Sequence, residues 1–101
     1  MSQAFAPSMV KQEEGGSIVN ICSIYGCAGP DQRLYDKQNS KKPVHYSVTK
    51  AGIHGFTKYL AAYYAESKLR VNTLTPGGVF NGHSEVFEKD YSQRAIMGRM
   101  A

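Results

Sequence analysis

The period of apolar positions changes repeatedly along this chain, and each change marks an element. Ser17-Ile18-Val19-Asn20-Ile21-Cys22 is short, β-branched and almost continuously apolar. That pattern predicts a strand covered on both faces, as in parallel sheets. Asn20 is its one polar interruption. From Val44 to about Ser67 the period lengthens, with Ile53, Phe56, Leu60 and Tyr63 at helical spacing and Lys58 and Glu66 among the polar positions between them. This predicts the longest helix. Leu69-Arg70-Val71-Asn72-Thr73-Leu74-Thr75 then alternates as a second strand, and Pro76-Gly77-Gly78 stops it. Strand, helix, strand makes one βαβ unit. A right-handed connection sets the start of the helix beside the carboxyl ends of both strands.

The flanks are less regular. Phe5, Met9 and Val10 stand at helix-like spacing, and the polar run Lys11-Gln12-Glu13-Glu14 leads into Gly15-Gly16, a helix stop signal. Met1 to Glu14 therefore reads as the tail of a helix that begins earlier. Gly26, Gly29 and Pro30 break regular structure, and Asp31 to Pro43 reads as a polar, charge-mixed, solvated loop. Beyond Val79-Phe80, residues Glu85, Val86, Phe87 and Tyr91 form a weak helical pattern that ends without a closing signal. No internal repeat or low-complexity tract is present.

A chain of 101 residues offers at most one core. With 42% hydrophobic and 20% charged residues it is ordinary for a globular protein and too apolar for a disordered one. The net charge of +4 is dispersed, with Lys41-Lys42 the one adjacent basic pair. A nucleic-acid footprint would be clustered, so no nucleic-acid partner is expected, whereas a mild positive balance suits a phosphate-bearing cofactor. Cys22 and Cys27 lack the paired spacing of a zinc site or a disulfide framework and fit a reducing compartment. The opening MSQAFAPSMV has no basic leader, and no apolar run is long enough to span a membrane. The expected setting is the cytoplasm, with no membrane partner.

Chemistry concentrates where the helix begins. Tyr46 and Lys50 are four apart on one helical face, so their tips can approach. A nearby ammonium favours phenolate and so equips a tyrosine to act as general acid or base. Tyr64 and Lys68 share that spacing, but eighteen residues of helix place Tyr64 roughly 27 Å along the axis, and it reads as a packing residue. Tyr46 instead faces the edge where open α/β sheets bind ligands. Ser23 follows the first strand at that same edge, where its hydroxyl can hold a substrate oxygen. Alone, a serine there would be an ordinary turn residue. His45, His54 and His83 have no spacing with Cys or carboxylates that makes a metal site, and no metal is expected. Ile21-Cys22-Ser23-Ile24-Tyr25 lacks the G-x-S-x-G elbow of a serine hydrolase. Ala51, Gly52 and Gly55 suit close helix packing.

Gly16-Ser17-Ile18-Val19-Asn20-Ile21-Cys22-Ser23, then Tyr46-Ser47-Val48-Thr49-Lys50-Ala51-Gly52, then Arg70-Val71-Asn72 running into Pro76-Gly77, resemble the short-chain dehydrogenase/reductases. The resemblance covers nearly the whole chain and corresponds to the middle and later part of a family member. It implies an α/β fold, part of a doubly wound parallel-sheet, Rossmann-like domain. The implied activity is hydride transfer between NAD or NADP and a secondary alcohol or ketone. Ser23 would orient the substrate, Tyr46 would transfer its proton, and Lys50 would tune Tyr46 while both contact the nicotinamide ribose side. Pro76, Gly77 and Val79 would line the nicotinamide. Homodimers or homotetramers built partly on the Val44 to Ser67 helix are also implied, and the polar loop favours a sugar or polyol substrate.

Departures from the family pattern are equally specific. Cys22 stands where many relatives have a second serine, and Asn81 where a threonine commonly contacts the cofactor. The loop between Ser23 and Tyr46 is longer than in most relatives, which makes Tyr25, Asp31, Arg33 and Tyr35 candidates for shaping substrate choice. No G-x-x-x-G-x-G turn for the pyrophosphate occurs. Residues 1–101 are therefore expected to be a partial domain lacking the N-terminal dinucleotide-binding half and the final strand. The competing expectation is a truncated, non-catalytic chain that persists only by association with other chains.

Overall fold

The computed structural model describes residues 1–37 and 39–101. Its elements run α1 (Ser2–Val10), β1 (Gly16–Ile21), α2 (Arg33–Asp36), α3 (Val44–Tyr63), β2 (Leu69–Leu74) and α4 (Glu85–Ser92), with a 3₁₀ turn over Ile24–Gly26. Strands β1 and β2 pair in parallel from Gly16 opposite Leu69 to Ile21 opposite Leu74. This is the βαβ unit expected from the apolar periods. Hydrogen bonding continues past the strand ends, because Cys22 N–H donates to Leu74 O at 2.8 Å and Ile24 N–H to Pro76 O at 3.1 Å. The two segments that leave the sheet are thus held side by side.

Two glycines make close approaches possible. Gly15 has φ +76°, and a Cβ there would lie 2.3 Å from Lys68 O, so only glycine lets the chain enter β1 beside the end of the α3–β2 connection. At Gly26 a Cβ would lie 2.7 Å from the Lys50 carbonyl carbon. The 3₁₀ turn therefore lies directly on α3, level with Lys50.

Ala6, Leu60, Leu69 and Val71 form the buried core, with Met9, Ile18, Ala61 and Tyr64 packed against it. A second cluster joins Leu34, Phe87 and Met100. Asn20, the polar residue of β1, donates through Nδ2 to Thr57 Oγ1 at 2.9 Å, and Thr73 Oγ1 donates to the same oxygen at 2.9 Å. Thr57 so ties α3 to both strands.

Several expectations are corrected. The sheet is covered on one face only: Val19, Ile21 and Leu74 are 53%, 52% and 56% exposed, because α1 and α3 pack on the side that carries Ile18, Asn20, Val71 and Thr73. The stretch from Asp31 to Pro43 is not simply a loop. It contains α2, which buries Leu34 against Phe87 and Met100. Helix α3 ends at Tyr63, and its inward face runs through Thr57, Leu60, Ala61 and Tyr64, leaving Phe56 and Tyr63 largely exposed. Nothing approaches the Cβ positions of Gly52 or Gly55. In α1 the residues packed inward are Ala6 and Met9, not Phe5 or Val10. Among the described residues, no helix is long and apolar enough to cross a membrane.

Candidate active site

Three segments converge at the carboxyl ends of β1 and β2. Ser23 leaves β1 and is buried. Its Oγ accepts the Tyr25 N–H at 3.2 Å and caps the 3₁₀ turn, which fixes the hydroxyl oxygen and leaves its proton free to donate. Helix α3 starts after Pro43, whose extended backbone turns the chain into the helix. Tyr46 lies in its first turn and Lys50 one turn later. The Lys50 ammonium donates to Ile21 O, the last carbonyl of β1, at 3.2 Å, and lies 5.9 Å from the Tyr46 ring centroid. From β2, Pro76, Gly77 and Val79 arrive at the same place.

Together they line a cavity of about 340 Å³ that includes Ser23, Tyr46, Lys50, Pro76, Gly77 and Val79. All six residues expected at the site are thus brought together. Tyr64 sits near the far end of α3 in the core, as its position along the helix axis requires. Of the residues expected to shape substrate choice, Tyr25 and Tyr35 line the cavity. Asp31 and Arg33 do not; Arg33 grips Asp31 through two bonds of 2.8 Å on the surface. Asn81 is exposed and does not line the cavity; its N–H donates to His83 Nδ1.

Three features escaped the sequence. Lys42 brings its ammonium to 4.1 Å from the Tyr46 ring centroid, closer than Lys50. It precedes Tyr46 by four residues but lies outside α3, so helical spacing gave no signal. Helix α4 supplies Phe87 and Tyr91 to the cavity wall, and His83 stacks on Phe87 at 5.0 Å. Finally, His54 Nε2 lies 3.2 Å from Cys22 Sγ and 3.0 Å from Cys27 Sγ, a meeting that the residue spacing did not suggest. No group able to hold a metal ion is found among the described residues.

Tyr35 donates its hydroxyl to Tyr25 at 3.1 Å. Partial burial, followed by that hydrogen bond, raises the Tyr35 pKa above the ordinary phenol value.

The family model described as short chain dehydrogenase matches residues 1–92. The chain belongs to the short-chain dehydrogenase family. Among curated relatives of this family, the chain is 33% identical over 90 residues to post-translational flagellin modification protein A of Campylobacter coli, covering 89% of this chain and 35% of that protein. It is 37% identical over 89 residues to human 3-oxoacyl-[acyl-carrier-protein] reductase, covering 87% of this chain and 33% of that one. A crystal structure of a short chain dehydrogenase from Leptospira borgpetersenii with bound NAD⁺ superimposes with a TM-score of 0.80 at 38% identity, covering 98% of this chain and 35% of the other. A gluconate 5-dehydrogenase from Burkholderia cenocepacia, in complex with NADP and tartrate, shares the fold with a TM-score of 0.79 at 24% identity, covering 99% of this chain and 37% of the other. The chain therefore spans about a third of the length of these family members.

Proposed function

We propose that the protein carrying this chain is an NAD(P)-dependent oxidoreductase acting on a secondary alcohol or ketone. The observation that carries this reading is the convergence of Ser23, Tyr46, Lys50 and the Pro76–Val79 backbone on one cavity at the strand carboxyl ends. These residues fit the nicotinamide half of a dinucleotide: a cavity lined by an ammonium and by a Pro-Gly-Gly backbone. The pyrophosphate half has no glycine-rich turn here to receive it. We accordingly read residues 1–101 as part of a domain whose dinucleotide-binding half and last strand lie outside them.

When bound, the nicotinamide supplies or takes the hydride. The chain's own residues manage the proton and the geometry. Ser23 donates its free hydroxyl proton to the substrate oxygen and holds it toward Tyr46. Tyr46 Oη gives its proton to that oxygen during reduction and recovers it during oxidation. Lys50 offsets the negative charge left on Tyr46, and its ammonium would also hold a hydroxyl of the nicotinamide ribose. The β1 carbonyl of Ile21 fixes that ammonium, so the strand end sets the position of the charge.

The exposed side of α3, with Val48, Tyr59 and Tyr63 outward and nothing over Gly52 and Gly55, supports a homodimer or homotetramer. Two free cysteines suit a reducing cytoplasm. A second reading is favoured by the uncovered face of the sheet: a non-catalytic chain that persists through association with other chains.

The two readings separate in one assay. The intact protein is supplied with NADH or NADPH and a panel of ketones, and cofactor absorbance is followed for the wild type and Tyr46→Phe. Turnover lost in the variant supports the oxidoreductase. An inert wild type overturns it and favours the second reading.

A further inference from the structure

The wall of the cavity that faces Tyr46 is unusually rich in proton donors. Lys42 is the most prominent. Its backbone is clamped by Gln32, which accepts the Lys42 N–H through Oε1 at 2.9 Å and donates through Nε2 to the Lys42 carbonyl at 3.1 Å. This two-bond clamp, reaching from the start of α2, fixes where the side chain begins. The ammonium then lies 4.1 Å from the Tyr46 ring centroid and 5.9 Å from that of Tyr35. Among the described residues Lys42 has no carboxylate partner. Aromatic faces hold a cation in place but do not neutralise it.

The neighbouring groups have the same polarity. Tyr25 Oη accepts from Tyr35, and Tyr91 Oη accepts from the Gly78 N–H, so each keeps a hydroxyl proton to donate. His83 Nδ1 accepts from Asn81 N–H at 3.2 Å, which puts the proton of a neutral ring on Nε2. Among the described residues, no Asp or Glu lines the cavity. A site with a fixed ammonium, several donors and no carboxylate favours an anionic group and repels a cationic one.

We propose that Lys42 is the anion subsite of this cavity, and that the substrate is an oxo acid or hydroxy acid whose carboxylate, separated by a short spacer from the reacting carbon, pairs with the Lys42 ammonium. The proposal rests on the oxidoreductase reading for the reacting carbon, but the anion subsite stands on its own geometry. Lys42 would act by binding and orienting, with the proton transfer left to Tyr46.

The test uses the intact protein with NAD⁺ bound and two matched probes, malonate and its neutral isostere malonamide, titrated by calorimetry. Malonate should bind at least tenfold more tightly. Lys42→Gln should remove that advantage, Lys42→Arg should keep most of it, and neither should alter the melting temperature or NAD⁺ affinity appreciably. In parallel, reduction of 2-, 3- and 4-oxo acids is compared with that of their methyl esters. At least one acid should be preferred in kcat/KM by tenfold or more, with Lys42→Gln raising its KM rather than lowering kcat. Equal binding of the two probes, or malonate affinity that survives Lys42→Gln, overturns the subsite. Esters and acids reduced equally well overturn the substrate class and leave the oxidoreductase intact. Lys42-dependent malonate binding without reduction of any ketone leaves the subsite standing and removes the oxidoreductase reading.

Discussion

Asn20 Nδ2 donates to Thr57 Oγ1 at 2.9 Å across 37 positions of sequence, and that bond makes a polar residue acceptable inside β1. Thr73 donates to the same oxygen from β2. One buried hydroxyl therefore sets how α3 lies over the strand pair, and so where Tyr46 and Lys50 stand relative to Ser23. Thr57→Val keeps the shape but removes the acceptor, leaving two donors unpaired. In the intact protein it should cost about 1–3 kcal/mol by urea denaturation, while Thr57→Ser should cost less. A valine variant as stable as the wild type would show that water replaces the bond.

If the intact protein is the proposed oxidoreductase, Tyr46→Phe should abolish its turnover, whereas Tyr64→Phe should retain most of it. Both tyrosines precede a lysine by four residues, but only Tyr46 lines the cavity, while Tyr64 packs on Leu60 and its neighbours in the core. Steady-state rates with saturating cofactor decide between them. Equal losses would mean that activity tracks helix integrity instead of the residue at the strand edge.

On the proposed mechanism, in which its free proton goes to the reacting oxygen, Ser23→Ala should lower kcat far more than it weakens cofactor affinity. Its acceptor role toward Tyr25 N–H adds a structural consequence that the melting temperature will report. Normal turnover with poor cofactor binding would take Ser23 out of substrate positioning.

Lys50→Met should impair both quantities. Its ammonium is anchored on Ile21 O and lies 5.9 Å from the Tyr46 ring centroid, so on the proposed mechanism its removal takes away both a charge near the proton carrier and a donor for the ribose. Cofactor titration and single-turnover rates measure the two effects separately. A change in only one would assign Lys50 a single role.

The βαβ unit and the residues it brings to the cavity are legible because they depend on local rules: a β-branched run, a helical period and a Pro-Gly stop. What was not legible depends on contacts between distant segments. Within the polar stretch from Asp31 to Pro43, Leu34 is buried by Phe87 and Met100, which lie more than fifty residues on. The inward face of α3 was misjudged for a related reason. Aromatic residues marked one stripe, but Thr57 lies on the stripe that the strands meet, because it satisfies Asn20 and Thr73. Lys42 was hidden because its position is set by Gln32, ten residues earlier and in a different element.

Asp31 makes a pH-dependent link between the α2 region and the end of α4. The hydrogen bond from the Arg33 side chain is the main cause holding its carboxyl well below the usual carboxylate range; partial desolvation opposes this, and Arg94 adds to the lowering. A carboxylate depressed in the folded state contributes stability that is complete above its unfolded pKa, near 3.8. That contribution is lost as pH falls toward the lower folded value. The wild type should therefore be more stable than Asp31→Asn at pH 5 to 7, with the gap closing below about pH 4. Thermal melts across that range test it, and a constant gap would show that the Arg33 and Arg94 contacts do not depend on the charge.

Residues 1–101 expressed alone should neither fold cooperatively nor bind NAD(P) tightly. The accessible surface is 7313 Å², against roughly 5,700 Å² for a folded monomer of this mass. The radius of gyration is 17.3 Å, against about 13 Å for a compact domain of this length. The excess lies where apolar residues are uncovered: Val19, Ile21 and Leu74 on one face of the sheet, and Val48, Tyr59 and Tyr63 on α3. Among the described residues the sheet contains two strands, β1 and β2, so each has one edge with no neighbour, and such edges recruit other chains. With no glycine-rich turn for the pyrophosphate, any affinity for the dinucleotide would come from the nicotinamide side alone. Size-exclusion chromatography, a thermal melt and NADH fluorescence titration read out each part. Association, a broad melt and weak NADH binding are expected. A monodisperse monomer with a sharp transition and micromolar NADH affinity would mean that the open sheet face is stable in water and that a phosphate site exists elsewhere in the chain.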